Sequence, residues 1–183
     1  MGLDYLGRPG WEDMWMTMAF LISRKSLDPN TKHGCVVTDK DNSLLSLGYN
    51  SPPRKCKDDQ IPLTRPIKYK YFEHAESNAI INAARIGVSL RDSIFYITGP
   101  PCVDCFRKIL NVGASQIIYG PIESHMISEE DKKVIKNLKN MREIDMRSHL
   151  RFEKIAPVDD SSIDSIIRIL EDTVRYIKNK TND

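Results

Sequence analysis

Residues 93–119 read SIFYITGPPCVDCFRKILNVGASQIIY. Ser93 to Thr98 has the β-branched and aromatic composition of a strand. Gly99-Pro100-Pro101 breaks it. Cys102 to Val112 reads as a helix closed by Gly113, and Gln116 to Tyr119 returns to strand before Gly120-Pro121. A strand, a crossover helix and a second strand pair in parallel. The alternation continues with a charged helix over Ser128 to Asn140 and a last strand over Glu143 to Met146. The fold class is therefore α/β.

Working outward, Ala75, Ala79, Ile80, Ala83 and Ile86 form one helical face ending at Gly87. Cys35 to Thr38 and Leu44 to Tyr49 form a hairpin around the turn Asp39-Lys40-Asp41-Asn42. Trp11, Met14, Trp15, Met18, Ala19 and Ile22 mark a helix that stops near Asp28-Pro29. Residues 50–72 are polar and carry four prolines. A loop of roughly 20 residues inside a compact domain is usually functional. Residues 1–156 are expected to form one domain. Residues 157–183 form a linker and an appended amphipathic helix, with Ser161 and Asp164 as a capping box. The apolar face of that helix must be buried on its own domain or at a subunit contact.

Composition removes several function classes. Of 183 residues, 27 are Lys or Arg and 25 are Asp or Glu, a net charge of +2. That balance argues against a broad surface for long nucleic acid. The apolar run Met14 to Ile22 is too short for a bilayer, which needs about 20 residues, so no membrane contact is expected. The opening MGLDYLGRPGWED has no basic stretch followed by an apolar one. We expect no secretory signal and a cytoplasmic location, where close cysteine pairs bind metal or do redox work. Cys35 reads as core, and Cys56 lies in the long loop. His33, His125 and His149 read as solvated or structural rather than as ligands.

Two motifs carry chemistry. His74-Ala75-Glu76 opens one helix, and Pro101-Cys102-Val103-Asp104-Cys105 opens the next. His-x-Glu followed by Pro-Cys-x-x-Cys is the signature of zinc deaminases. Cys102 and Cys105 share one face of a first helical turn, whose partial positive charge favours thiolates. Two thiolates and a neutral imidazole offset a zinc ion and leave its fourth position for water, as a catalytic site requires. Glu76 is the carboxylate placed to take that water's proton. On a regular helix residues i and i+2 point about 200° apart, so His74 and Glu76 converge only at the helix mouth. A structural zinc half-site or a thioredoxin-like pair are the alternatives. The first lacks a fourth ligand at finger spacing, and the second leaves His-Ala-Glu unexplained.

With Asp28-Pro29-Asn30-Thr31-Lys32, Gly48-Tyr49-Asn50, Cys56-Lys57-Asp58-Asp59 and the Asn78-Ala79-Ile80 extension added, the chain resembles the deoxycytidylate (dCMP) deaminases over about residues 11–120. The resemblance implies a cytidine-deaminase-like three-layer α/β/α sandwich with a mixed sheet of about five strands. It implies zinc on His74, Cys102 and Cys105, Glu76 as the catalytic group, and conversion of dCMP to dUMP and ammonia for dTMP synthesis. Substrate contacts carry over to Ser26, Lys32 and Asn50, and backbone at Ala75 holds the pyrimidine edge. The resemblance also implies a homohexamer, activated by dCTP with Mg2+ and inhibited by dTTP, with Arg85 as the effector contact. Ser51 after Gly-Tyr-Asn, His33 and Glu73 depart from the family pattern, as does the absence of a tyrosine over Gly120 to His125. The alternative reading is an editing deaminase acting on tRNA or single-stranded DNA. Arg65, Lys68, Tyr69, Lys70, Tyr71 and Phe72 give it a small basic and aromatic cluster.

Overall fold

The computed structural model describes residues 8–122, 127–148, 167–172 and 175. Four helices and five strands run α1 (Trp11–Ser23), β1 (Gly34–Thr38), β2 (Leu44–Tyr49), α2 (Ala75–Ile86), β3 (Ile94–Ile97), α3 (Val103–Asn111), β4 (Gln116–Tyr119), α4 (Glu129–Arg142) and β5 (Asp145–Ser148). The sheet order is β2-β1-β3-β4-β5. The hairpin pairs β1 antiparallel to β2, and β1 is also antiparallel to β3. From β3 onward the pairing is parallel, through the crossover helices α3 and α4. The mixed five-stranded α/β sheet expected from the sequence is therefore observed.

The sheet is buried on both faces, which makes the three layers. Val36, Tyr96 and Ile118 point to α1 and pack on Trp15, Met16 and Ala19. Their neighbours Cys35, Val37, Phe95, Ile97 and Ile117 point the other way, onto Ala79 and Ala83 of α2, Phe106 and Ile109 of α3 and Ile135 of α4. Alternation along each strand sorts the two sets. Two glycines set how closely the layers approach. A Cβ at Gly34 would lie 1.9 Å from the Ala19 carbonyl oxygen of α1. A Cβ at Gly48 would lie 2.4 Å from backbone atoms of Ala75 and Ala79 in α2. Only glycine lets both helices sit so near the hairpin.

The last strand begins two residues later than the sequence pattern places it. Helix α4 continues to Arg142, and Glu143 closes it in the left-handed conformation, with φ of 53°. A Ser128–Asp131 capping box opens that helix. Residues 167–172 are helical, within the span expected of the C-terminal helix. The linker at 157–160, the Ser161–Asp164 pair, His125 and His149 lie outside the described residues. Among the described residues no helix is long and apolar enough to cross a membrane.

Candidate active site

Both chemical motifs sit at helix mouths on the same end of the sheet. His74 is the N-cap of α2, with extended backbone at φ −73° and ψ 159°. Cys102 is the N-cap of α3, at φ −69° and ψ 167°. Each carbonyl accepts the first intrahelical bond, from Asn78 N and Phe106 N. Neither side chain caps its own helix, so both are free for other work. The 200° problem of i and i+2 disappears, because His74 stands before the helix and Glu76 inside it. Cys102 likewise precedes the helical turn that carries Cys105.

His74 Nδ1 lies 3.5 Å from Cys102 Sγ and 3.5 Å from Cys105 Sγ. All three ligand atoms lie within 4.8 Å of one another. Zinc bonds of about 2.0–2.1 Å to nitrogen and 2.3 Å to sulfur, at a tetrahedral angle, put nitrogen about 3.6 Å from each sulfur. The donor set therefore fits zinc in identity and spacing. The electrostatics agree. Contact with Cys105 and His74 lowers the Cys102 thiol to about 4. Cys105 is pushed up by Cys102, by burial and by Glu76. His74 is raised to about 8, chiefly by its contact with Cys102. A divalent cation relieves the conflict between two neighbouring thiolates.

Glu76 is buried and faces the cavity beside His74. Burial pushes its carboxyl above the ordinary glutamate range, against the pull of His74. A buried carboxyl that takes up a proton readily suits acid–base work near neutral pH.

The cavity wall comes from three further segments. Asn50 follows β2; its Oδ1 accepts from His33 N at 2.7 Å and its Nδ2 donates to the Thr31 carbonyl at 3.0 Å. Asn78 Nδ2 donates to the Tyr49 carbonyl at 2.8 Å, which ties the Gly-Tyr-Asn element to the helix of Glu76. Ser51 and Glu73 exchange backbone hydrogen bonds of 3.1 and 2.9 Å, closing the neck of the long loop just before His74. From inside that loop Arg65, Lys68, Tyr69 and Phe72 line the cavity, together with Asp28. Lys68 is buried and ion-paired to Asp28 at 2.6 Å.

The sequence-predicted residues separate into two groups. His74, Ala75, Glu76, Cys102 and Asn50 line one cavity, and Cys105 lies beside it, within 4.8 Å of the ligand atoms of His74 and Cys102. Ser26 and Lys32 are not among the lining residues. Ser26 is buried, its hydroxyl accepts from Asp28 N at 3.1 Å, and its carbonyl accepts from Lys32. Lys32 borders a separate groove beside Phe20, Leu21 and Pro29. Arg85 is exposed in the last turn of α2. The long loop was legible as functional, but the Asp28–Lys68 pair was not. His33 also lines the cavity, with Nδ1 3.1 Å from Thr98 Oγ1. Its departure from the family pattern was the only signal for it.

The family model for the cytidine and deoxycytidylate deaminase zinc-binding region matches residues 9–121. The deoxycytidylate deaminase of Homo sapiens is 30% identical over 169 residues, 88% of this chain and 90% of that protein. A Drosophila melanogaster protein named "Probable deoxycytidylate deaminase" is 30% identical over 160 residues, 81% of this chain and 77% of that protein. The dCMP deaminase of the cyanophage S-TIM5, solved with dCMP and dUMP, shares the fold at a TM-score of 0.60 and 24% identity. That likeness covers 77% of this chain and 98% of the phage chain. With the zinc donor set and Glu76 assembled at the mouths of α2 and α3, the chain belongs to the cytidine and deoxycytidylate deaminase family.

Proposed function

We propose that this chain deaminates dCMP by hydrolysis, giving dUMP and ammonia and so supplying dUMP for dTMP synthesis. One observation carries the reading. The His74–Cys102–Cys105 donor set opens on the same cavity as the buried Glu76, in a chain whose relatives are named deoxycytidylate deaminases. The cavity also holds a cation at its rim. Arg65 is exposed there, its guanidinium 6.0 Å from the centre of the Tyr69 ring, while Lys68 is committed to Asp28, so Arg65 is the cation placed to meet a 5′-phosphate.

His74, Cys102 and Cys105 would hold the zinc ion. When bound it supplies a water acidic enough to lose a proton near neutral pH. Glu76 takes one proton from that water and gives it to N3 of the cytosine as the water oxygen bonds to C4. Glu76 then carries the second water proton to the 4-amino group, the C4–N bond breaks, and ammonia leaves. One water proton thus ends on N3 and the other on ammonia, and Glu76 returns unchanged. Asn50, braced by His33 N and the Thr31 carbonyl, orients the nucleotide, and the Ala75 backbone holds the pyrimidine edge. Ser26 and Lys32, on the segment that also carries Asp28 and Thr31, are read as further contacts to the nucleotide.

Regulation belongs to the same reading: dCTP with Mg2+ activates, dTTP inhibits, and Arg85 meets the effector. The exposed Ile81, one turn before Arg85 on the same face of α2, supports a subunit contact near Arg85, as a homohexamer would need. The free cysteines support a cytoplasmic location.

The test compares dUMP formation from dCMP, release of uridine from cytidine, and deamination of a short oligonucleotide, with zinc content measured on the same preparation. Turnover of dCMP well above both others supports the reading. Preference for the oligonucleotide would replace it with polynucleotide editing.

A further inference from the structure

Cys105 is the most buried of the three zinc donors, and a polar chain outside the donor set reaches it. Ser77 Oγ lies 3.7 Å from Cys105 Sγ. Lys108 Nζ donates to the same Ser77 oxygen at 2.8 Å. The two residues follow the donors by one turn: Ser77 is three positions after His74, and Lys108 three after Cys105. The packing of α2 on α3 that brings His74 to Cys105 therefore brings Ser77 to Lys108 as well.

The chemistry of this chain has one direction. An ammonium only donates, whereas a serine hydroxyl has one proton and two acceptor sites. With Lys108 filling an acceptor site on Ser77, the serine proton remains for the sulfur. Ser77 is only 2% exposed, so water does not compete for it. Lys108 is exposed, and neither residue lines the substrate cavity. A hydrogen bond to a thiolate withdraws charge from it and fixes its rotamer. Groups that orient metal ligands in this way are worth about 10–100-fold in metal affinity.

We infer that Lys108 and Ser77 form a relay that orients the Cys105 thiolate and holds zinc in the site, from outside the residues that line the substrate cavity. The inference rests on the zinc reading above. Ser77 is the positioning residue, and Lys108 acts only through it.

The experiment follows zinc leaving the intact holoenzyme for a colorimetric chelator, beside the absorption spectrum of the cobalt-substituted protein. Ser77→Ala should release zinc about 10–100-fold faster. It should also move the sulfur-to-cobalt charge-transfer band to longer wavelength, because the sulfur lone pair rises in energy when it loses a donor. Lys108→Met should shift both readouts the same way by less, and Lys108→Arg should restore them. Lys108 is exposed, so these two variants keep the fold even if Ser77→Ala proves unstable. The double variant should match Ser77→Ala alone, since the lysine has no route except the hydroxyl. Release rates within about twofold of wild type in both single variants, or additive effects in the double variant, would overturn the relay. A wild-type chain that binds no zinc would overturn the metal reading itself. Zinc in the wild type with unchanged variants overturns the relay alone.

Discussion

Lys68 Nζ lies 2.6 Å from both carboxylate oxygens of Asp28, and the two side chains are almost wholly buried, at 1% and 8% exposure. Asp28 belongs to the segment between α1 and β1, Lys68 to the long loop, and both line the cavity. The pair fixes the loop over the site. Burial raises the Asp28 carboxyl, but Lys68 and the backbone N–H groups of Asn30 and Thr31 outweigh it and hold the carboxyl below its usual range.

Removing one member of such a pair leaves the other charge buried alone. Lys68→Met should destabilise the protein by about 3–5 kcal/mol in urea unfolding. Adding Asp28→Leu should recover part of that loss, because a buried ion pair is itself costly to desolvate. In the single variant KM for dCMP should rise, as the loop loses its anchor. A Lys68→Met protein as stable as wild type would show that the loop is held by other contacts.

His33 gives a pH dependence with a definite sign. Burial lowers its imidazole to about 4, with His74 adding to the effect. The folded protein therefore keeps it neutral where an unfolded chain, near 6.5, takes up a proton. Its contribution is complete above about pH 6.5 and is lost as pH falls from there towards about 4. The loss amounts to at most about 3 kcal/mol. Unfolding of wild type and His33→Gln should be compared at about pH 7 and about pH 4.5. The variant should lose less stability between the two, and equal losses would locate the acid sensitivity in other groups.

Arg85 stands nine residues after Glu76 on α2, about 14 Å along the axis, too far to share one base with it. Arg85→Gln should keep dCMP turnover without effectors near wild type while losing activation by dCTP and inhibition by dTTP. Effector coupling usually amounts to about 5- to 150-fold, so steady-state curves with and without each nucleotide decide the point. A variant that still responds to the wild-type extent would place the effector elsewhere.

The parts legible in the sequence were those fixed by local pattern. The period of Ala75, Ala79 and Ala83 marked the buried face of α2, and the breaker before Cys102 marked the mouth of α3. Both motifs could be joined because each opens a helix. Pairs made by distant segments were not legible. Asp28 and Lys68 are 40 positions apart, and nothing local says that two opposite charges will be buried together. Ser77 and Lys108 are 31 apart, and each taken alone reads as ordinary helix surface. Gly48 could be quoted as a motif, but its reason, the close approach of Ala75 and Ala79, needed the packed helix. The sequence pattern starts β5 two residues early, because a left-handed Glu143 closes α4 where a glycine would have signalled the stop.

Glu76 is proposed to move both protons of the reaction at a zinc site built from His74, Cys102 and Cys105. The most direct measurement is the rate of dUMP formation by Glu76→Gln, with zinc content determined on the same sample. Full zinc content is expected, with a rate lower by about 10⁴-fold, the upper end for a group that acts in several proton transfers. Cys102→Ser or Cys105→Ser, run alongside, should lose the metal instead. A zinc-loaded Glu76→Gln protein that keeps activity within about tenfold of wild type would show that another group moves the protons.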